Sequence, residues 1–186
     1  LAHHNVRTRM SVDNLIEAMN ILTPAAPDEA LPVVTFEDGV KLHINGDTLN
    51  VVHTAPAHTD GDSVIKWEKA NVLHAGDIFN RSGAPFVDRG SGGTVSGLIV
   101  AMDTMIGMTD ENTKVIPGHG PVGTRADMIS YREAVKNVLE RVRTEHAAGK
   151  SLEEILALKL EWPVTPFAVV PADRLVQAAY EEVTGE

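Results

Sequence analysis

The chain has 186 residues, 43% of them hydrophobic and 23% charged, which excludes a disordered or fibrous composition and leaves enough apolar material for a core. Sixteen Lys and Arg stand against 26 Asp and Glu, a formal net charge of −10, which argues against the basic surface that a phosphate backbone requires, so no nucleic-acid partner is expected. There is no cysteine, which excludes disulfides, thiolate metal sites and cysteine nucleophiles together and leaves the compartment undecided.

In chain order, Leu31 to Ala75 reads as β-structure. Val33, Val34 and Phe36 run up to Asp38-Gly39, and Val40, Leu42 and Ile44 alternate up to Asn45-Gly46. Both dipeptides are hairpin signals, because Asn and Gly tolerate positive φ. Leu49, Val51 and Val52 continue a third strand of the predicted meander. Ser63 to Trp67 and Asn71 to His74 add two short strands around the polar turn Glu68-Lys69-Ala70. Asn80 to Gly93 reads as a loop, either an ordinary surface loop or part of a substrate rim with Phe79, Phe86, Arg81 and Arg89. Helical periodicity follows, with Val95, Leu98, Ile99, Met102, Met105 and Ile106 on one face. Lys114-Val115-Ile116 is a returning strand before Pro117. Thr124 and Asp127 form a capping-box pattern ahead of a long amphipathic helix through Met128, Tyr131, Val135, Val138 and Val142, ending near Gly149. Ser151 and Glu154 repeat the pattern for a short helix, and a last helix is predicted from around Pro171 to near Gly185. Strands first and helices later, with one strand returning, predict an α/β or α+β fold. No apolar run reaches the ~18 residues needed to span a bilayer, so no membrane partner is expected.

Most of the eight histidines have ordinary readings. His43 and His53 sit in alternating strands, His146 closes a helix where a cation suits the macrodipole, and His3 and His4 lie at the start of the chain. Three segments differ, each placing a potential ligand in a loop next to a predicted strand: Ala57-His58-Thr59-Asp60-Gly61-Asp62, Ala75-Gly76-Asp77-Ile78-Phe79 and Ile116-Pro117-Gly118-His119-Gly120-Pro121. Strand-end loops are where a rigid sheet presents functional side chains. Gly76 permits a tight turn beside Asp77, and Gly118 and Gly120 let other groups approach His119. Two imidazoles and a carboxylate suit Zn²⁺, with Fe or Mn as alternatives.

These segments, quoted as AHTDGDSVI (57–65), VLHAGDIFN (72–80) and VIPGHGPV (115–122), resemble the metallo-β-lactamase superfamily, in its glyoxalase II-like branch of metal-dependent hydrolases. The opening Ala2-His3-His4-Asn5-Val6-Arg7 is similar to that family's strand-to-helix passage just after its first metal motif. The resemblance implies an αββα sandwich with a metal site at the sheet edges. It also implies a metal-bound hydroxide attacking an ester, thioester, amide or lactam of a small-molecule substrate. By motif match His58 resembles the third histidine on the first metal, Asp77 the bridging carboxylate and His119 the last histidine on the second metal. No further catalytic or cofactor-binding residue is assigned.

The family signature HxHxDH does not occur in residues 1–186. The expectation is a single truncated domain, with sheet and metal loops in 1–122 and C-terminal helices in 123–186, and with the signature and first strands upstream of Leu1. Zinc binding is then expected to be weak or absent and the chain inactive as it stands; the alternative is a non-catalytic scaffold or oligomerisation module. An uncovered sheet face including some of Val34, Phe36, Leu42, Val51, Ile65 and Trp67 predicts a homo-oligomer.

Overall fold

A computed structural model describes residues 1–16, 20–160, 162 and 172–185. The chain opens with β1 (Ala2–His3) and α1 (His4–Met10), the strand-to-helix passage expected of that segment. A small antiparallel pair follows, β2 (Asn14–Ile16) with β3 (Ile21–Thr23), which the sequence reading had not recognised. Next comes β4 (Thr35–Phe36), and then the main sheet: β5 (Gly39–Ile44), β6 (Asp47–His53), β7 (Ser63–Trp67) and β8 (Val72–Asn80). After α2 (Val95–Gly107) the chain returns as β9 (Lys114–His119), then continues in α3 (Arg125–Ala147), α4 (Leu152–Ala157) and α5 (Ala172–Thr184). The sheet order is β5-β6-β7-β8-β9, antiparallel except for the parallel β8-β9 pair that α2 makes possible.

The Asn45-Gly46 turn forms as predicted, with both residues at positive φ (52° and 74°), the twist a two-residue hairpin needs. The Asp38-Gly39 hairpin does not form. The Asp38 carbonyl accepts the His53 N–H at 2.8 Å, which makes it a rung beside β6. Gly39 pairs with Val52, so close to the neighbouring backbone that a Cβ would overlap the Val51 carbonyl. β4 pairs instead with β1, in parallel, and Val33 and Val34 are left exposed.

Directly paired residues of a sheet share a face. Val64, Leu73, Ala75 and Val115 turn toward the helices and are buried with Leu98, Met102 and Met105 of α2, Val135, Val138 and Val142 of α3, and Leu175 and Ala179 of α5. That single core joins the sheet to all the later helices. The capping boxes at Thr124–Asp127 and Ser151–Glu154 both form, closing orphan N–H groups at the starts of α3 and α4. The predicted start of the last helix at Pro171 lies outside the described residues. Among the described residues no helix is long and apolar enough to cross a membrane.

Candidate functional site

His58 lies in the loop between β6 and β7, and Asp62 builds that loop. One Asp62 oxygen accepts the backbone N–H groups of His58 and Thr59 at 2.7 and 3.1 Å, and the other accepts the Thr59 hydroxyl at 2.7 Å. The His58 ring is fixed from the opposite side: its Nδ1 lies 2.8 Å from the Phe86 carbonyl oxygen. A carbonyl can only accept, so Nδ1 carries a proton, and in the neutral ring Nε2 is the nitrogen left with a lone pair. That Nε2 faces Asp77 Oδ2 at 3.7 Å.

Asp77 does not lie in a loop after a short strand, as its motif suggested. β8 runs on through it to Asn80, with an irregular pairing to β9 between His74 and Asn80. Gly76 adopts φ +56° within that bulge, a conformation costly for any side chain. A bulge re-aims a side chain beside a strand end, and here it turns Asp77 out to the sheet edge. β9 likewise continues past Ile116 through Pro117 to His119; it is an edge strand, where a proline is tolerated. His119 Nε2 sits 3.1 Å from Asp77 Oδ1. The approach depends on Gly118, where a Cβ would overlap Asp77 Oδ1 and the Gly76 backbone. Arg81 holds the following loop, its N–H donating to the His119 carbonyl at 2.9 Å and its guanidinium to the Val122 carbonyl at 2.6 Å.

The three residues singled out from sequence therefore converge, with Asp77 between two imidazoles. Below them Tyr131 stands edge-on to Phe79 at 5.3 Å. Burial pushes its phenol well above the usual range, and the Asp77 charge acts in the same direction, so it stays neutral beneath the site. A cavity of about 310 Å³ opens over the triad, lined also by Ile16, Asn80, Phe86, Asp88 and Arg174. Of these lining residues, Asn80, Phe86 and Asp88 fell in the 80–93 segment flagged as a possible rim. That segment is not an ordinary surface loop: Ser82, Ala84, Val87 and Asp88 are buried. Phe79 belongs to the core, and Arg81 is spent on the 119–122 loop and on Asp127. The remaining histidines with ordinary readings stay away from the triad. His3 stacks on His53 at 3.7 Å, His43 bonds Thr48, and His146 meets the Tyr180 ring.

With this geometry in place, the model of the metallo-beta-lactamase superfamily matches residues 3–141. The chain belongs to that superfamily. Its fold is similar to a double mutant of the sec-alkyl sulfatase PisA1, with a TM-score of 0.64 and 16% identity over 84% of this chain and 27% of that one. The stereoselective inverting sec-alkylsulfatase Pisa1 from Pseudomonas sp. gives 0.61 and 14% over 88% and 28%. The BLEG-1 B3 metallo-beta-lactamase gives 0.52 and 26% over 70% and 62%. The chain thus spans little more than a quarter of each sulfatase chain and under two thirds of BLEG-1. At such identities the sulfatases show the fold alone. No curated protein gives a significant match.

The donors present do not complete a metal site. His58 and His119 approach different oxygens of Asp77, so the donors surround the carboxylate rather than a common point. Among the described residues, no group of three or more His, Asp or Glu side chains is arranged to hold a metal ion.

Proposed function

We propose that residues 1–186 form one domain carrying part of the ligand set of a metal-dependent hydrolase, in the glyoxalase II-like branch of the superfamily. Its substrate would be a small-molecule ester, thioester, amide or lactam. His58, Asp77 and His119 are the proposed ligands, with zinc the metal best suited to two imidazoles and a carboxylate, and Fe or Mn as alternatives. The observation that carries this reading is Asp77 held between two Nε2 atoms, at 3.7 and 3.1 Å, with the His58 lone pair aimed inward by the Phe86 carbonyl.

The same geometry limits the chain. Each Asp77 oxygen is matched by one imidazole, whereas a catalytic zinc typically takes three protein ligands and an open position. We therefore expect residues 1–186 to hold zinc weakly and to hydrolyse little. The second reading, a scaffold or oligomerisation module, is favoured by that incomplete donor set and by the half-buried apolar face of the sheet, which fits a homo-oligomer.

Metal content after dialysis, by elemental analysis, separates the readings. Residues 1–186 should retain well under one zinc per chain, and Asp77→Ala should lose what binding remains. Two tightly held metals per chain of residues 1–186 would overturn the ligand count. Metal-free behaviour of the unsubstituted chain would favour the scaffold.

A further inference from the structure

The cavity over His58, Asp77 and His119 does not end at those residues. A second cavity of about 300 Å³ adjoins it, between the 86–90 segment and α5, and Phe86, Asp88 and Arg174 line both. Each is in the range of small-molecule pockets, and together they form a cleft with the triad at one end. The charges along that cleft are not equally available. Asp77 faces the two imidazoles. Asp88 is buried and its carboxylate accepts the Ser91 N–H at 3.2 Å. Arg89 and Glu181 face each other at 3.9 Å. Arg174 is exposed, and among the described residues it makes no ion pair with a carboxylate. Its guanidinium carbon instead lies 5.9 Å from the centre of the Phe86 ring, a cation–π placement that holds the group over the seam of the two cavities. Phe86 is also the residue that touches the site: its ring lies 5.7 Å from the His58 ring, and its carbonyl fixes the His58 tautomer.

We propose that Arg174 and Phe86 form an anion-binding subsite, so that the cleft takes a small substrate carrying a carboxylate or similar oxyanion at the end away from the reacting bond. This rests on the reading of the triad as the reacting end. An Arg fork suits a carboxylate because it donates two parallel N–H bonds, and the Phe86 face supplies an apolar floor for the segment between anion and triad. In a chain of net charge −10, a cation at the cleft is a selective feature, because the surrounding field disfavours anions elsewhere on the surface.

The test is a titration of the metal-free chain, dialysed against a chelator, with hippurate and with its neutral amide at low ionic strength. Calorimetry should show hippurate binding about tenfold more tightly than the amide, the size of one charge-assisted contact. Arg174→Gln should erase that preference while amide binding is unchanged, and Arg174→Lys should keep only part of it. Lys159→Gln, which removes another exposed cation, one that pairs with Asp173 and lines neither cavity, should leave it intact. Equal binding of acid and amide by the unsubstituted chain, or an equal loss in the Lys159 variant, would overturn the subsite. Because no metal is present, that failure leaves the ligand reading standing, and a failure of zinc binding leaves the subsite standing.

Discussion

The two faces of the main sheet have opposite fates. The face toward α2, α3 and α5 is dry: Val64, Leu73, Ala75 and Val115 are all 0% exposed. On the other face Val40, Leu42, Leu49, Ile65, Trp67, Val72 and Ile116 are only half-buried, although they are as apolar as their counterparts. Val51 is the buried exception, toward the end where β1 and β4 approach the sheet and His3 lies against His53. Hydrophobicity alone did not decide burial here; the presence of a covering layer did. Alternation along a strand predicts two faces, but which of them is covered is a property of the whole fold.

The sharpest way to break this comparison is to remove the same kind of side chain from each face. Leu73→Ala leaves a hole in a packed core and should cost about 2–5 kcal/mol in urea unfolding. Ile65→Ala, from the open face, should cost less, about 1–2 kcal/mol in a dilute monomer, since its side chain is only partly withdrawn from water. Equal costs at low concentration would mean that the open face is covered within one chain.

Association sharpens the same contrast. If a second copy covers the open face, residues 1–186 should scatter light as a homo-oligomer at micromolar concentration, and Ile65→Lys should shift them to monomer with the helix-side core intact. The cost of Ile65→Ala should then rise with protein concentration. A monodisperse monomer for the unsubstituted chain would refute the covering copy.

Much of the helical half was legible in the sequence because its signals are local. Thr124 with Asp127 and Ser151 with Glu154 mark helix starts by themselves, and the Met128-to-Val142 spacing marks one face of a helix without reference to anything else. The Asn45-Gly46 turn was legible for the same reason. The convergence of His58, Asp77 and His119 was legible through motif resemblance. What escaped was set by distant partners. The parallel pairing of β1 with β4, the β2-β3 pair, and the continuation of β8 through Gly76 and β9 through Pro117 all depend on neighbouring strands. Arg174 escaped because nothing in an α5 sequence says which cavity a helix will border. Phe86 was read as a possible rim residue, but its hold on His58 escaped because that part is played by a carbonyl, which every residue has.

The smallest expected effect lies where the N-terminal strands meet the open face. His3 is buried there, stacked on His53, with Glu37 at 3.9 Å. Burial is the main cause that holds its imidazole below the ordinary 6.5; the neighbouring His53 and His4 act in the same direction, while Glu37 and Asp60 oppose them. The unfolded chain therefore takes up this proton first as pH falls. Stability should be flat with respect to His3 well above 6.5 and should decline as pH drops from there toward the folded value, with a slope below one proton. The depressed carboxylates Asp47, Asp110 and Glu145 work in a separate window, since their contributions fade only as pH falls below their ordinary values of 3.8, 3.8 and 4.5. Urea unfolding between about pH 7.5 and about pH 5.5 isolates the histidine. His3→Gln should flatten the decline in that range and leave the acid limb unchanged. Identical slopes in the two proteins would show that the His3–His53 contact contributes nothing that depends on protonation, and that the covered end of the sheet is held by β1 and β4 alone.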